Sequence, residues 1–216
     1  MIGDKGMLEA LTYQIMLKEI NRSAQEKGVL DDYVGILITR PELPTGKDIL
    51  NSLEYYHFRT GISINFYLPG YGAYWNTTDY PDKKIVAMID NVDWSFSSRM
   101  FTLFIEDLEK YSKWKYSGES ELLLVSLKKG ILSYENMMQF YLDKMIRDGV
   151  IDSVNQFFEY LFRICKNKES LSQISNTFEM NKLKQVSIDA LLDKLPLGVE
   201  KFFTQGKYFC VKDMEK

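Results

Sequence analysis

Tyr33-Val34-Gly35-Ile36-Leu37-Ile38-Thr39 is an uninterrupted apolar stretch rich in β-branched residues, entered from Asp31-Asp32 and left through Arg40-Pro41. Such a run suits a central strand buried on both faces, since a strand with one wet face alternates apolar and polar residues. Upstream, residues 7–27 carry Leu8, Leu11, Ile15, Met16 and Ile20 near helical spacing, and Gly28 suits the position that ends a helix. Downstream, Pro41 and Pro44 break the chain, and Gly46-Lys47-Asp48 opens a helix through about Phe58. Residues 62–68 alternate as a half-buried strand should, and 84–90 and 121–127 are two further strand candidates. Between the last two, Ser97 or Ser98 caps a helix with Phe101, Phe104, Leu108 and Tyr111 on one stripe. Strands alternating with amphipathic helices predict an α/β fold, a layered and mostly parallel sheet of about four strands with flanking helices. The connection from 68 to 84 has no helical pattern, so those two strands are either antiparallel or separated by a long loop.

Beyond Gly130 the spacing predicts helices. Ser133 caps one carrying Tyr134, Met137, Met138, Tyr141, Leu142 and Met145, which ends at Gly149. Asp152 opens another, with Val154, Phe157, Phe158, Leu161, Phe162 and Cys165 on its apolar face. Residues 166–216 hold nine Lys, no Arg and seven acidic residues, a balance of +2. Short helices there, followed by a hairpin around Gly206-Lys207, resemble a winged-helix order. The expected organisation is an α/β core over 1–130 and a helical C-terminal region over 131–216, with a small subdomain from 166.

The 216 residues are 45% hydrophobic and 26% charged, which excludes long disorder and fibrous architecture. A net charge of −3 supplies no field for nucleic acid or an anionic membrane. Cys165 and Cys210 form no CxxC or Cys/His pattern, so no zinc site or disulfide framework is signalled. No basic segment followed by an apolar run opens the sequence, and no apolar stretch approaches the roughly 18–20 residues that span a bilayer. A cytoplasmic location with no membrane partner is expected.

In an open parallel sheet, ligands bind beyond the carboxyl ends of the strands. Thr39-Arg40-Pro41-Glu42-Leu43-Pro44-Thr45-Gly46-Lys47-Asp48 lacks a phosphate-loop pattern, because Pro41 stands where glycine is needed and Asp48 where Ser or Thr is needed. It does place Arg40 and Lys47 near a helix N-terminus, where an anion could bind. Gly70-Tyr71-Gly72-Ala73-Tyr74-Trp75 has no third glycine and no following helix, so it is not a dinucleotide fingerprint. Its aromatics Tyr71, Tyr74 and Trp75 either stack a planar ligand such as a nucleobase or fold back over the sheet edge. Asp90-Asn91-Val92-Asp93-Trp94-Ser95 supplies acid/base candidates in Asp90 and Asp93, joined by Glu42, with Asn91 and Ser95 as polar ligand contacts. The same residues are ordinary turn formers. Lys128 to Ser133 follows the last strand and adds no distinctive chemistry. His57, the single histidine, falls at a helix C-terminus, where complementing the dipole is a simpler reading than a general base or a triad member.

The leading expectation is a cytosolic α/β module that binds a small ligand, with a nucleotide-like compound as the leading class, and acts as a sensor or regulator. No cofactor and no metal is specified. One alternative is an enzyme acting on a nucleotide or nucleoside through the strand-end carboxylates. The other is an interaction subunit without a small-molecule site, docking a protein or a second copy through the apolar stripes at 134–145 and 154–165. Nucleic acid is disfavoured as a partner.

Overall fold

The structure, a computed structural model, describes residues 7–10, 12–27, 32–60, 64–166 and 208–216. Its centre is β2 (Asp32–Ile38), whose Tyr33 to Ile38 are buried throughout, as the apolar run requires. β1 (Met7–Ala10) and α1 (Tyr13–Lys27) precede it, while α2 (Pro44–Asn51) and α3 (Leu53–Thr60) lead from it to β3 (Asn65–Pro69). β3 lies parallel between β1 and β2, pairing Phe66 with both Met7 and Gly35. These two parallel contacts are the ones with helical crossovers behind them, as chain geometry demands. At Gly35 a β-carbon would collide with the Phe66 ring, so the glycine lets that ring lie flat on the centre of the sheet.

The expected mostly parallel sheet of about four strands is overturned. The main sheet is mixed and six-stranded in the order β1-β3-β2-β7-β8-β9, and a second sheet of three strands runs β4-β6-β5. β7 (Glu121–Lys128), β8 (Ile131–Tyr141) and β9 (Phe209–Lys212) are joined antiparallel, β7 to β2 across Val125 and Val34, and β9 to β8 across Cys210 and Gln139. β4 (Tyr71–Ala73), β5 (Lys84–Ile89) and β6 (Val92–Phe96) make the antiparallel second sheet, so β3 and β5 are not sheet neighbours.

Two tight turns explain the departure. Lys129 (φ 53°) and Gly130 (φ 76°) take left-handed backbone, the requirement of a two-residue hairpin turn matched to strand twist. They fold β8 back on β7, so most of the segment expected as a helix from Ser133 is strand, and only α5 (Leu142–Arg147) is helical. The sheet therefore runs across Gly130. Asp90 (φ 50°) and Asn91 (φ 59°) do the same between β5 and β6, replacing the expected strand end with a hairpin tip.

Two helices behave as their sequence dictates. α4 (Ser98–Tyr111) is capped by Ser97, whose hydroxyl accepts from the Met100 N–H at 3.1 Å, and it buries Met100, Phe101, Phe104, Ile105 and Leu108. α6 (Val154–Lys166) buries Phe157, Phe158, Leu161 and Phe162, with Phe158 4.7 Å from Tyr56 and 5.9 Å from Phe66 between ring centroids. The helix expected over 46–58 is divided at Ser52 into α2 and α3. The winged-helix order expected after 166 falls almost wholly outside the described residues. Among the described residues, no helix is long and apolar enough to cross a membrane.

Candidate functional site

The end of β2 is pinned from two sides before it opens into a cleft. Thr39 is fully buried, and its hydroxyl shares a 2.8 Å hydrogen bond with that of Ser120 at the start of β7. The Tyr71 hydroxyl donates to the Thr39 carbonyl at 3.2 Å. Arg40 follows, and its own carbonyl accepts from the Leu43 N–H at 3.1 Å, closing the turn that leads into Pro44 and α2. With the backbone held, the Arg40 side chain emerges beside α4.

One helical stripe of α4 forms the facing wall. Ser98, Phe101, Thr102, Ile105, Glu106 and Glu109 recur at the spacing that brings residues onto one face. Phe101 and Ile105 make its apolar floor, and the polar members stand at the rim. Tyr116 supplies the third wall from the connection between α4 and β7. That connection is bolted down: Trp114 is buried with its indole N–H on the Glu121 carboxylate at 3.1 Å, and the Tyr116 N–H donates to Glu109 at 3.0 Å. Together with Arg40 and Glu42 these residues enclose about 350 Å³, within the size range of small-molecule sites.

Among the described residues, two polar atoms of this cleft are buried without a well-formed hydrogen bond, Nε of Arg40 and the hydroxyl of Tyr116. Buried polar groups are nearly always paired, and one left unpaired costs about 1–3 kcal/mol. Burial pushes the Tyr116 phenol above its ordinary pKa, and the neighbouring Arg40 guanidinium opposes that rise through its charge and through a loose hydrogen bond to the hydroxyl. Tyr71 is pushed well up by burial, further by Glu42, and eased by Arg40, so Arg40, Glu42, Tyr71 and Tyr116 form one electrostatic group. Glu109 is held below the usual carboxylate range, first by Lys115 at 2.8 Å and then by the Tyr116 N–H. Behind the cleft, Glu121 is fully buried and accepts from Trp114, from Gln139 at 2.7 Å and from the Ser117 N–H at 3.1 Å.

Of the residues the sequence nominates, Arg40 and Glu42 line this cleft and Tyr71 lies beneath it. Lys47 is exposed on α2. Tyr74 is 86% exposed, whereas Trp75 is buried and stacks on Tyr80 at 4.9 Å, the folded-back alternative for that loop. Asp90 and Asn91 form the β5–β6 turn, with the Asp90 N–H donating to Glu54 at 3.0 Å. Asp93 is exposed and Ser95 buried along β6. None of these four lines the cleft. Among the described residues, no group of three or more His, Cys, Asp or Glu is placed to hold a metal ion. Sequence reasoning passes over Thr102, Glu106, Glu109 and Tyr116; the available signal is the polar flank along the apolar stripe of α4.

Comparisons of the chain with family models, with curated proteins and with solved structures find no match.

Proposed function

We propose that the chain is a small-ligand-binding module whose site is the cleft between the end of β2, the 98–109 face of α4 and Tyr116. The observation that carries this reading is the cleft of about 350 Å³ itself, with the Arg40 guanidinium set in its wall beside Tyr116. An anionic group of a ligand would pair with the guanidinium that the wall presents. A route for a regulatory response lies alongside: the Arg40 turn runs directly into α2, and α2 packs on both α5 and α6. Ligand engagement at Arg40 thus bears on the helices that close one side of the sheet. Cys210 carries a free thiol, which suits a reducing, cytoplasmic setting.

The enzymatic alternative draws no support from a shared constellation, because Asp90 and Asp93 stand on the β5–β6 hairpin while Glu42 stands at the cleft. The test of the binding reading is a thermal-shift panel of nucleotides, nucleosides, amino acids and short peptides on wild type and on Thr102→Trp, which fills the cleft from an exposed helix position. A ligand at 100 times its dissociation constant adds about 2.7 kcal/mol, which at about 2–4 °C per kcal/mol for this length is a shift of roughly 5–11 °C. The reading requires a compound that shifts wild type and not Thr102→Trp; equal shifts in both overturn it.

A further inference from the structure

The cleft's charges specify more than its presence. Arg40 is its single cation, against Glu42, Glu106 and Glu109. Glu109 is already committed to Lys115 and the Tyr116 N–H. Glu42 and Glu106 are exposed at the rim, with no ion pair to another described residue, and the Arg40 guanidinium lies against the Tyr116 hydroxyl. The cleft thus offers an occupant one guanidinium in its wall and two carboxylates at its rim, arranged around an apolar corner. That corner is made by Phe101 and Tyr116, whose rings meet edge to face at 5.7 Å and 70°, with Ile105 beside them.

An occupant must complement all three features at once. Arg40 calls for a single anionic acceptor, the carboxylates call for a cationic donor, and the ring corner calls for an apolar or aromatic body. A polyphosphate fits poorly, because its several negative charges would face two unpaired carboxylates with one guanidinium to offset them. We infer that the ligand is a zwitterion carrying an ammonium, a carboxylate and an apolar side group, the chemistry of a free amino acid or of a short peptide's end. This rests on the reading of the cleft as a binding site.

The experiment measures dissociation constants for the full chain by calorimetry at low ionic strength, with L-phenylalanine, phenethylamine, 3-phenylpropanoate, phenylalanylglycine and ATP as probes. L-phenylalanine or phenylalanylglycine is expected to bind at least about tenfold more tightly than either singly charged analogue, a factor equal to about 1.4 kcal/mol. Whichever of the two is tighter identifies the source as free amino acid or peptide end. Arg40→Gln should erase the advantage over phenethylamine, and a Glu42→Gln, Glu106→Gln double variant the advantage over 3-phenylpropanoate. The wild-type ranking stands by itself if a variant fails to fold. If ATP binds more tightly than the zwitterions, or these gain nothing over their analogues, while binding remains sensitive to Thr102→Trp, the zwitterion inference falls and the cleft reading survives. If no probe senses Thr102→Trp, both fall.

Discussion

Gly46 sets its α-carbon so close against Arg40 that a β-carbon there would overlap the Arg40 carbonyl oxygen and stand 2.8 Å from the Thr39 hydroxyl. The first turn of α2 and the start of the cleft are thus packed as one unit. Gly46→Ala should favour α2 by up to about 1 kcal/mol through helix propensity, but the overlap costs about 1–3 kcal/mol. A net loss of about 1–2 kcal/mol in denaturant titrations is expected, with weakened ligand binding because the Arg40 turn must move. A stabilised Gly46→Ala protein that still binds normally would contradict this coupling.

Tyr116→Phe separates a binding role from a structural one. The hydroxyl it removes is buried with no well-formed hydrogen bond among the described residues, only the loose contact with Arg40, so the variant should be more stable by about 1 kcal/mol. Ligand affinity should fall in the same protein. A loss of stability would show that the hydroxyl is paired in the free protein.

Glu121 predicts a pH dependence. Burial raises its carboxyl above the ordinary value of 4.5, even against bonds from Ser117, Gln139 and Trp114. The folded state then holds this proton to higher pH than the unfolded chain. Its stabilising contribution is complete below pH 4.5 and is lost as pH rises through the folded value. Glu121→Gln should remove that fall, so the gap in unfolding free energy between wild type and variant should drift in the variant's favour as pH climbs past 4.5. A constant gap across that range would refute the assignment.

Trp75→Ala and Tyr74→Ala should differ sharply despite adjacency. Trp75 is 7% exposed and stacks on Tyr80, so its truncation should cost about 3–5 kcal/mol. Tyr74, at 86% exposure, should tolerate alanine within about 0.5 kcal/mol. Thermal melts of the two variants decide the matter.

The sequence shows the first half of the fold more clearly than the second. β2 is legible because an unbroken apolar run has few alternatives, and Arg40 and Glu42 are legible because strand carboxyl ends collect ligand groups. β8 is not, because Met137, Met138, Gln139 and Phe140 are all buried. A strand covered on both faces loses its alternation, and Tyr134, Met137, Met138 and Tyr141 then happen to match helical spacing. The signal that corrects it is Gly130, just as Asp90-Asn91 marks the other hairpin, since glycine, asparagine and aspartate tolerate left-handed backbone. The α4 wall of the cleft is half-legible: its apolar stripe is plain in sequence, but nothing local says that Glu106 stands at the rim of the same cleft as Arg40. Tyr116 is illegible because its place depends on Trp114 being anchored on Glu121, a contact made only once β7 is folded.

The most direct measurement follows the Arg40 side chain itself. In a ¹⁵N-edited spectrum of the arginine Nε–H groups, with the Arg40 signal assigned from Arg40→Lys, each compound that raises the thermal midpoint would be titrated into the full chain. The Arg40 signal is expected to shift on binding, as its guanidinium gains an anionic partner, while those of Arg22, Arg59, Arg99 and Arg147 stay in place. A compound that binds and leaves the Arg40 signal unmoved would contradict it.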